Sequence, residues 1–384
     1  MTSEREFPVE QARQRLIELY RQLHLRSVLT ECNNGLVATC LALNDADEEV
    51  SSGAGKGEHC SIGAMAECLE HLFMSTSVPT LVSSQAIRDA AQAHNDGLLD
   101  ALADEGQVPA LQLRAIGGWE TLWVPAILLS PSDANLAAIE CTPAAFLVRY
   151  ASNSGTALGC SENEALLHAL NEVIERHALS IYYMALCGLA PAPALHRPAE
   201  SWLVETFGHD GRLLRQAMRM EIVLKQSDFG TWFCIAMPAK PTGTPLTPVG
   251  SGCSVSPSIA LYRAVTEQIQ SETLHGPDEV QEDAQTAALL EQSPRLAKLR
   301  HPRWPHELPT LHPVSHQLGV TAQMTSVLKA LRQHGKTAFF HTLQTHSKLA
   351  TVVQVFIPGL ERFHLIRSGV PVVPQHVLHA RTGH

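Results

Sequence analysis

A short pattern occurs three times in this chain and constrains it more than any bulk property. The three stretches read Ala64-Met-Ala-Glu67-Cys-Leu-Glu70, Ala169-Leu-Asn-Glu172-Val-Ile-Glu175 and Ala264-Val-Thr-Glu267-Gln-Ile-Gln270. Each has the form Ala-x-x-Glu-x-x-(Glu/Gln), and each follows a glycine-containing segment: SSGAGKG, ASNSGTALG and PVGSGCSVSP. The second and third match further back, through Ala165-Leu166 and Ala260-Leu261. Such recurrence is the mark of one supersecondary unit used three times. The apolar spacing predicts a helix in each. Residues three apart share a helix face, so each unit presents two acceptor side chains side by side.

Carboxylates placed this way must be offset. Two of them about 4 Å apart repel by roughly 4 kcal/mol at an effective dielectric near 20. The helices are otherwise apolar, with Val173 and Ile174 between the second pair. Hard divalent cations held by a few carboxylates, with phosphates as the remaining ligands, would supply the offset. Three basic residues lie close by in sequence: Lys56 in the first glycine segment, Arg176 beside Glu175, and Arg263 four before Glu267. Carboxylates for Mg2+ and isolated cations for phosphate oxygens together suggest a nucleoside triphosphate site. The familiar nucleotide motifs are missing. Gly57 follows Lys56 where a phosphate loop needs Ser or Thr, and no G-x-G-x-x-G opens a helix after a strand.

Plain structural readings stand beside these. Ser161 with Glu164 is a capping box, which fixes a helix start and gives Glu164 a purely local use. Arg263 with Glu267, and Arg176 with Glu172, have the spacing of exposed helix pairs worth a few tenths of a kcal/mol. Lys56 could be solvated in a loop.

Composition removes other classes. The 384 residues carry 28 Lys+Arg against 38 Asp+Glu, a net charge of −10, which disfavours nucleic acid as a partner. No apolar run approaches the length of a membrane span, and the charged MTSEREFPVEQARQRL is unlike a signal peptide, so a soluble cytoplasmic protein is expected. Nine cysteines, Cys141 among them, form no C-x-x-C pair and read as reduced, mostly buried small hydrophobes. His301, His306, His312 and His316 fall in a proline-rich stretch that reads as a linker at about 301–320.

Along the chain, an amphipathic helix with Ala12, Leu16, Ile17 and Leu19 inward is expected first, then strands such as Gly35–Leu43. Ser61 is the expected cap of the first repeated helix; Ser256 and Pro257 are the expected cap and first residue of the third. Leu122–Leu129 and Ala144–Tyr150 read as buried strands, and Ile222–Ala236 as strand. Helices are expected at Asp278–Leu299 and Ala322–Gln333, strands at Ala338–Leu343 and Ala350–Ile357, and an irregular tail ending in His384.

The residues also resemble a known family. SSGAGKG with AECLEH, GCSENEALLHALNEVIERHA, and GSGCSVSPSIALYRAVTEQIQS look like the three signature blocks of the YcaO family, and VFIPGLE resembles a segment near its C-terminus. The resemblance runs from about Ser51 to Glu361. It implies an α+β fold of YcaO type, with three glycine-loop/helix units around an ATP–Mg cavity and mixed sheets. Residues 1–50 would be an N-terminal helix and strands, and 51–384 the YcaO domain, with binding blocks at 51–75, 152–185 and 248–275.

Carried over by position, Lys56, Glu67, Arg176, Arg263 and Gln270 are the ATP-binding candidates. Glu70, Glu164, Glu172, Glu175 and Glu267 are the Mg2+ candidates. No single catalytic residue is indicated. The implied activity is ATP-dependent phosphorylation of a backbone amide oxygen in a ribosomal precursor peptide, giving thiazoline or oxazoline rings as in bacteriocin maturation. Thioamide formation is the second reading. The implied partners are the peptide and a leader-binding protein, adenylating-enzyme-like for azolines or TfuA-like for thioamides; a flavin dehydrogenase and a homodimer are also compatible.

The chain departs from the family pattern at Gly63 (Ser is usual), His71 (often Arg), Ser154 (usually Asn) and Gly276-Pro277-Asp278-Glu279 (often Arg-Asp-Asp). It also lacks the P-x-P-x-P ending common in azoline-forming members, having Val370-Pro371-Val372-Val373-Pro374 and ten more residues. Two rivals remain at this level: a non-catalytic subunit of the same fold, and a metallohydrolase using the carboxylates alone.

Overall fold

The computed structural model describes residues 4–379 apart from 104, 141, 143, 210, 306, 315, 316 and 347. Cys141, His306, His316 and the end of the tail therefore lie outside the described residues. In chain order the strands are β1 (Arg26–Cys32), β2 (Val37–Leu43), β3 (Glu49–Lys56), β4 (Thr80–Ser83), β5 (Gln107–Ala115), β6 (Thr121–Pro125), β7 (Thr156–Gly159), β8 (Arg197–Pro198), β9 (Met220–Gln226), β10 (Trp232–Pro238), β11 (Gly250–Ser254), β12 (Thr310–Leu311), β13 (Phe339–His346) and β14 (Ala350–Phe356). The α-helices are α1 (Val9–Gln22), α2 (Cys60–Met74), α3 (Ser84–His94), α4 (Gly97–Asp100), α5 (Asp133–Ile139), α6 (Glu162–Leu186), α7 (Glu200–Phe207), α8 (Arg212–Ala217), α9 (Pro257–Thr273), α10 (Pro277–Glu291), α11 (Val320–Gln333) and α12 (Gln375–His379).

Three antiparallel sheets carry the repeated helices. One has the order β1-β2-β3, one the order β11-β10-β9, and a six-stranded sheet runs β4-β5-β13-β14-β7 with β6 on β5. The boundary expected at residue 50 falls inside β3, whose partner β2 comes from the N-terminal stretch and pairs in turn with β1. The last two repeats follow the same build as the first: α2 lies on β3, α6 on β7 and β14, α9 on β11 and β10.

The glycine segments, expected as loops, are strands for most of their length. Their glycines permit contact between strand and helix backbones. A Cβ on Gly55 would stand 1.8 Å from the Cys60 carbonyl oxygen, and one on Gly252 2.2 Å from that of Ala260. On Gly159 it would stand 2.4 Å from the Ala165 nitrogen. The alanines that recur in the pattern are the other half of this contact: Ala64, Ala169 and Ala264 are fully buried.

Each unit then has its own apolar packing. α2 and α1 share Leu16, Leu19, Met65, Cys68 and Leu69. Leu166, Leu170 and Ile174 of α6 meet Val353 and Val355 of β14 and Val327 of α11. Leu261, Val265 and Ile269 of α9 meet Leu224 and Cys234.

Several local expectations fail for identifiable reasons. Ile17 is turned to solvent, 55% exposed, because Leu16, Leu19 and Tyr20 take the inner face of α1. Ser61 lies inside α2 and donates to the Glu31 carboxylate, so it caps nothing. Ser256 is the N-cap residue of α9 with Pro257 first in the helix, but without a side-chain cap bond. Only Thr121–Pro125 of the first apolar run is strand, and Ala145–Tyr150 is a 3-10 helix. The Asp278–Leu299 helix ends at Glu291, with a 3-10 turn at Leu296–Leu299. Ile222–Ala236 is two strands, β9 and β10.

The tail is partly ordered, with a 3-10 turn at Phe363–Ser368 and α12. Within the His/Pro stretch, β12 pairs in parallel with β8, and His312 Nε2 reaches Glu205 at 3.0 Å. The eight described cysteines are free, six of them buried. Among the described residues no helix is long and apolar enough to cross a membrane.

Candidate active site

The three units meet at Glu267. Lys56, the last residue of β3, donates from Nζ to Glu267 Oε2. From α6, Arg176 Nη1 lies 3.7 Å from Glu267 Oε1. The same guanidinium stands 3.5 Å from Glu175 and 4.0 Å from Glu172. Glu175 also accepts from Ser251 Oγ of β11 at 2.6 Å. First, second and third repeats are thereby tied into one polar cluster between α2, α6 and α9. The arginine of the second block is not a surface partner of Glu172; it is shared by three carboxylates.

Burial dominates the electrostatics. It pushes the Glu70 carboxyl up to about 8, and Glu67 and Glu172 add repulsion against the help of the Leu158 N–H. It pushes Glu172 up to about 7, where Arg176 opposes and Glu175 and Glu267 reinforce the shift. Burial also works to raise Glu267, but Lys56 and Arg176 outweigh it and hold the carboxyl below its usual value. Arg176 is lowered by burial, yet Glu175, Glu267 and Glu172 together hold it firmly charged.

Each remaining carboxylate leans on backbone. Glu70 Oε1 accepts from the Leu158 nitrogen at 2.6 Å, Glu67 Oε2 from Ala54 at 3.2 Å, and Glu172 Oε2 from Gly155 at 3.3 Å. His71, at a position often occupied by Arg, sits 3.9 Å from Glu67.

Three candidates, Glu164, Gln270 and Arg263, sit apart from this cluster. Glu164 accepts from the Cys160 nitrogen at 2.8 Å and from the backbone of Glu6 and Phe7, while its own nitrogen donates to Ser161 Oγ. Only half of the expected capping box is therefore present: Ser161 caps the Glu164 nitrogen, but the Glu164 carboxylate takes the Cys160 nitrogen instead of that of Ser161. Glu164 lies three helical turns before Glu175 on α6, roughly 16 Å along the axis, so one ion cannot bind both. Gln270 follows Glu267 on α9, and its side chain makes no hydrogen bond with the described residues.

Arg263 does not pair with Glu267. It donates to Glu4 Oε2 at 2.6 Å, to the Cys253 carbonyl at 2.8 Å, and lies 3.1 Å from His168 Nδ1. Burial and the charges of Arg263, Arg5 and Lys56 hold His168 well below its usual value, so its Nδ1 accepts.

Among the described residues, no three His, Cys, Asp or Glu side chains form a ready-made metal cage. The donor set nonetheless suits Mg2+ with phosphate: hard oxygens, one or two per ion, with Glu70 and Glu172 half-buried and their charge disfavoured despite Arg5 and Arg176. Lys56, Arg176 and Arg263 suit phosphate oxygens. Arg176 also borders a small cavity lined by Ser152, Ser154, Glu361 and His364.

Sequence reasoning missed Asn171, His168, Ser251 and Ser254, though all lie within the quoted blocks. Asn171, next to Glu172, was the most legible of them, since an amide at 0% exposure on an apolar helix needs a partner.

Comparison with known proteins identifies the family and the fold. The family model described as YcaO cyclodehydratase, ATP- and Mg2+-binding, matches residues 51–361. The chain is similar to YcaO from Methanopyrus kandleri bound with AMPPCP and Mg2+, at 16% identity and a TM-score of 0.60, covering 96% of each chain. A heterocyclase in complex with substrate and cofactor is similar at 16% identity and a TM-score of 0.59, over 94% of this chain and 54% of that one. The Escherichia coli microcin synthetase McbBCD complex with pro-MccB17 bound gives 13% identity and a TM-score of 0.55, over 87% of this chain and 86% of that one. No curated protein sequence matches. With 51–361 matched and the fold shared along nearly its whole length, the chain belongs to the YcaO family, an ATP- and Mg2+-binding family.

Proposed function

We propose that this chain is an ATP- and Mg2+-dependent cyclodehydratase that activates backbone amides of a ribosomally made precursor peptide and forms azoline rings. The observation that carries the reading is the meeting of all three repeats at Glu267, which pairs with Lys56 of the first and Arg176 of the second. It places fixed cations beside half-buried carboxylates, Glu70 and Glu172, whose charge burial disfavours. In this reading Lys56, Arg176 and Arg263, with Glu67 and Gln270, hold the nucleotide, while Glu70, Glu164, Glu172, Glu175 and Glu267 supply Mg2+ ligands. Bound ATP would supply the phosphoryl group that makes an amide oxygen a leaving group. Arg176 borders both the carboxylate cluster and a small cavity lined by Ser152, Ser154, Glu361 and His364.

Thioamide formation is the second reading, supported by the C-terminal stretch. Val370–Pro374 is not P-x-P-x-P, and it is pinned through both backbone groups of Val373 to the Tyr150 hydroxyl at 3.1 Å before the chain continues into α12. Either reaction would use a leader-binding partner, adenylating-enzyme-like or TfuA-like. A flavin dehydrogenase and a second copy of the chain are compatible with both.

The test is mass spectrometry of a precursor peptide incubated with the chain, its partner, ATP and Mg2+. Loss of one water per modified residue, with phosphate release, is the expected result. Exchange of oxygen for sulfur when sulfide is present would select the thioamide reading. No mass change and no ATP turnover with either partner class would leave a non-catalytic subunit.

A further inference from the structure

Residues 4–7 run into the same space between α2, α6 and α9. The Glu4 carboxylate is buried, 8% exposed, although it precedes the first helix. Its Oε1 accepts from Asn171 Nδ2 at 3.0 Å and from Ser254 Oγ, and its Oε2 from Arg263 Nη2 at 2.6 Å. Two residues on, the amides of Glu6 and Phe7 both donate to Glu164. Arg5, between them, lies close enough to Glu70 and His168 for its charge to act on both. The segment is held from behind by α1: the Arg15 guanidinium stacks 3.7 Å from the Phe7 ring and donates to the Cys160 carbonyl at 3.0 Å. It has no helix or strand of its own.

Three donors converging on one buried oxyanion, one of them a guanidinium, make an anion subsite whose donors suit a phosphate oxygen as well as a carboxylate. Its donors come from the second and third repeats: Asn171 is next to Glu172, and Arg263 is one turn before Glu267. We propose that Glu4 is an intramolecular occupant of the phosphate subsite formed by Arg263, Asn171 and Ser254, and that nucleotide must displace residues 4–7 to bind. This rests on the nucleotide reading above and adds its regulation. A tethered carboxylate competes at a high effective concentration, so the apparent affinity for nucleotide falls by the fraction of molecules in which the segment is released. The same displacement frees Glu164 from the Glu6 and Phe7 amides.

The experiment measures Mg2+–ATP binding by calorimetry on the full chain, on Glu4→Ala and on Glu4→Gln, alongside amide exchange of the 4–8 segment. Affinity about tenfold tighter in Glu4→Ala is expected. Glu4→Gln, which keeps the shape but not the charge, should fall between. Mg2+–ATP should speed exchange at Glu6 and Phe7 in the wild type while slowing it on α6. The apo Glu4→Ala chain should also melt lower, because Arg263 loses its counter-ion; tighter binding by a less stable protein is not what a structural role gives. Equal or weaker ATP affinity in Glu4→Ala, or unchanged exchange at Glu6 and Phe7, overturns this inference alone. Absence of ATP binding in all three chains overturns the nucleotide reading and this inference with it.

Discussion

Lys56 and Glu267 form an ion pair between residues 211 apart in sequence, joining the end of β3 to the middle of α9. Half-buried, with side chains 31% and 19% exposed, the pair closes the first repeat onto the third, while Arg176 closes the second onto the same carboxylate. A lysine held there is aimed into the cluster at little further cost in order. That makes Lys56 a fixed cation rather than a solvated one, as the proposed nucleotide role requires.

Lys56→Met should therefore weaken Mg2+–ATP binding about tenfold, the loss of roughly one charge-assisted hydrogen bond. The fold should survive, since the pair is partly exposed and worth on the order of 1 kcal/mol. Calorimetry with thermal melting separates the two effects. An unchanged dissociation constant would return Lys56 to the role of a structural ion-pair partner.

The strand–helix contacts predict sharp positional effects among glycines. Gly55→Ala drives a Cβ into the Cys60 carbonyl, a rigid backbone group, and should destabilise by about 3 kcal/mol or prevent folding. Gly63 is different. It lies on the exposed face of α2, and a Cβ there meets the Gly55 Cα at 3.4 Å and the Lys56 nitrogen at 3.9 Å, both ordinary contacts. Gly63→Ser should raise stability by about 0.5 kcal/mol, because glycine is the poorer helix former. Urea unfolding of the two variants reads both signs; equal effects would contradict the contact geometry.

These glycines also show where the sequence was legible. The Ala-x-x-Glu repeat located α2, α6 and α9, because helical spacing and small inner residues survive in one dimension. The strands beside them were read as loops, since glycine is ordinarily depleted in strands. Its reason for being there, an approach of 1.8 to 2.4 Å that a Cβ would make, exists only once helix and strand are packed. Ala145–Tyr150 was misread because a short apolar run has no period to tell a strand from a buried turn. The partner of Arg263 was beyond reach: spacing favoured Glu267 four residues on, whereas the fold brings Glu4 from 259 residues away.

The Glu361 carboxyl carries a pH signature. Burial pushes it up to about 7, the Gln375 N–H and Lys336 oppose, and Asp96 adds repulsion. An unfolded glutamate titrates near pH 4.3, so the folded state holds this proton the more tightly. Its contribution to stability is fully present below about pH 4 and is lost as pH rises through about 7. Glu361→Gln keeps an acceptor for Gln375 and removes the titration. Relative to that variant, the wild type should lose on the order of 1 kcal/mol between pH 5 and 8, a figure discounted for partial exposure. Parallel stability–pH curves for the two proteins would rule it out.

The carboxylate cluster makes the metal itself a stability reagent. Glu70 and Glu172 sit at about 8 and about 7 because burial and neighbouring carboxylates disfavour their charge. Mg2+ brought in with phosphate oxygens removes that penalty only in the folded state, so ligand binding is coupled to folding. At a hundred times the dissociation constant, Mg2+–ATP should stabilise the chain by about 2.7 kcal/mol, and a chelator added with the same ATP should abolish most of the rise in melting temperature. Glu172→Gln should lose the greater part of the Mg2+-dependent shift while keeping the Gly155 hydrogen bond. An equal shift with and without Mg2+ in the wild type would detach these carboxylates from the metal and leave the cations as the whole of the nucleotide site.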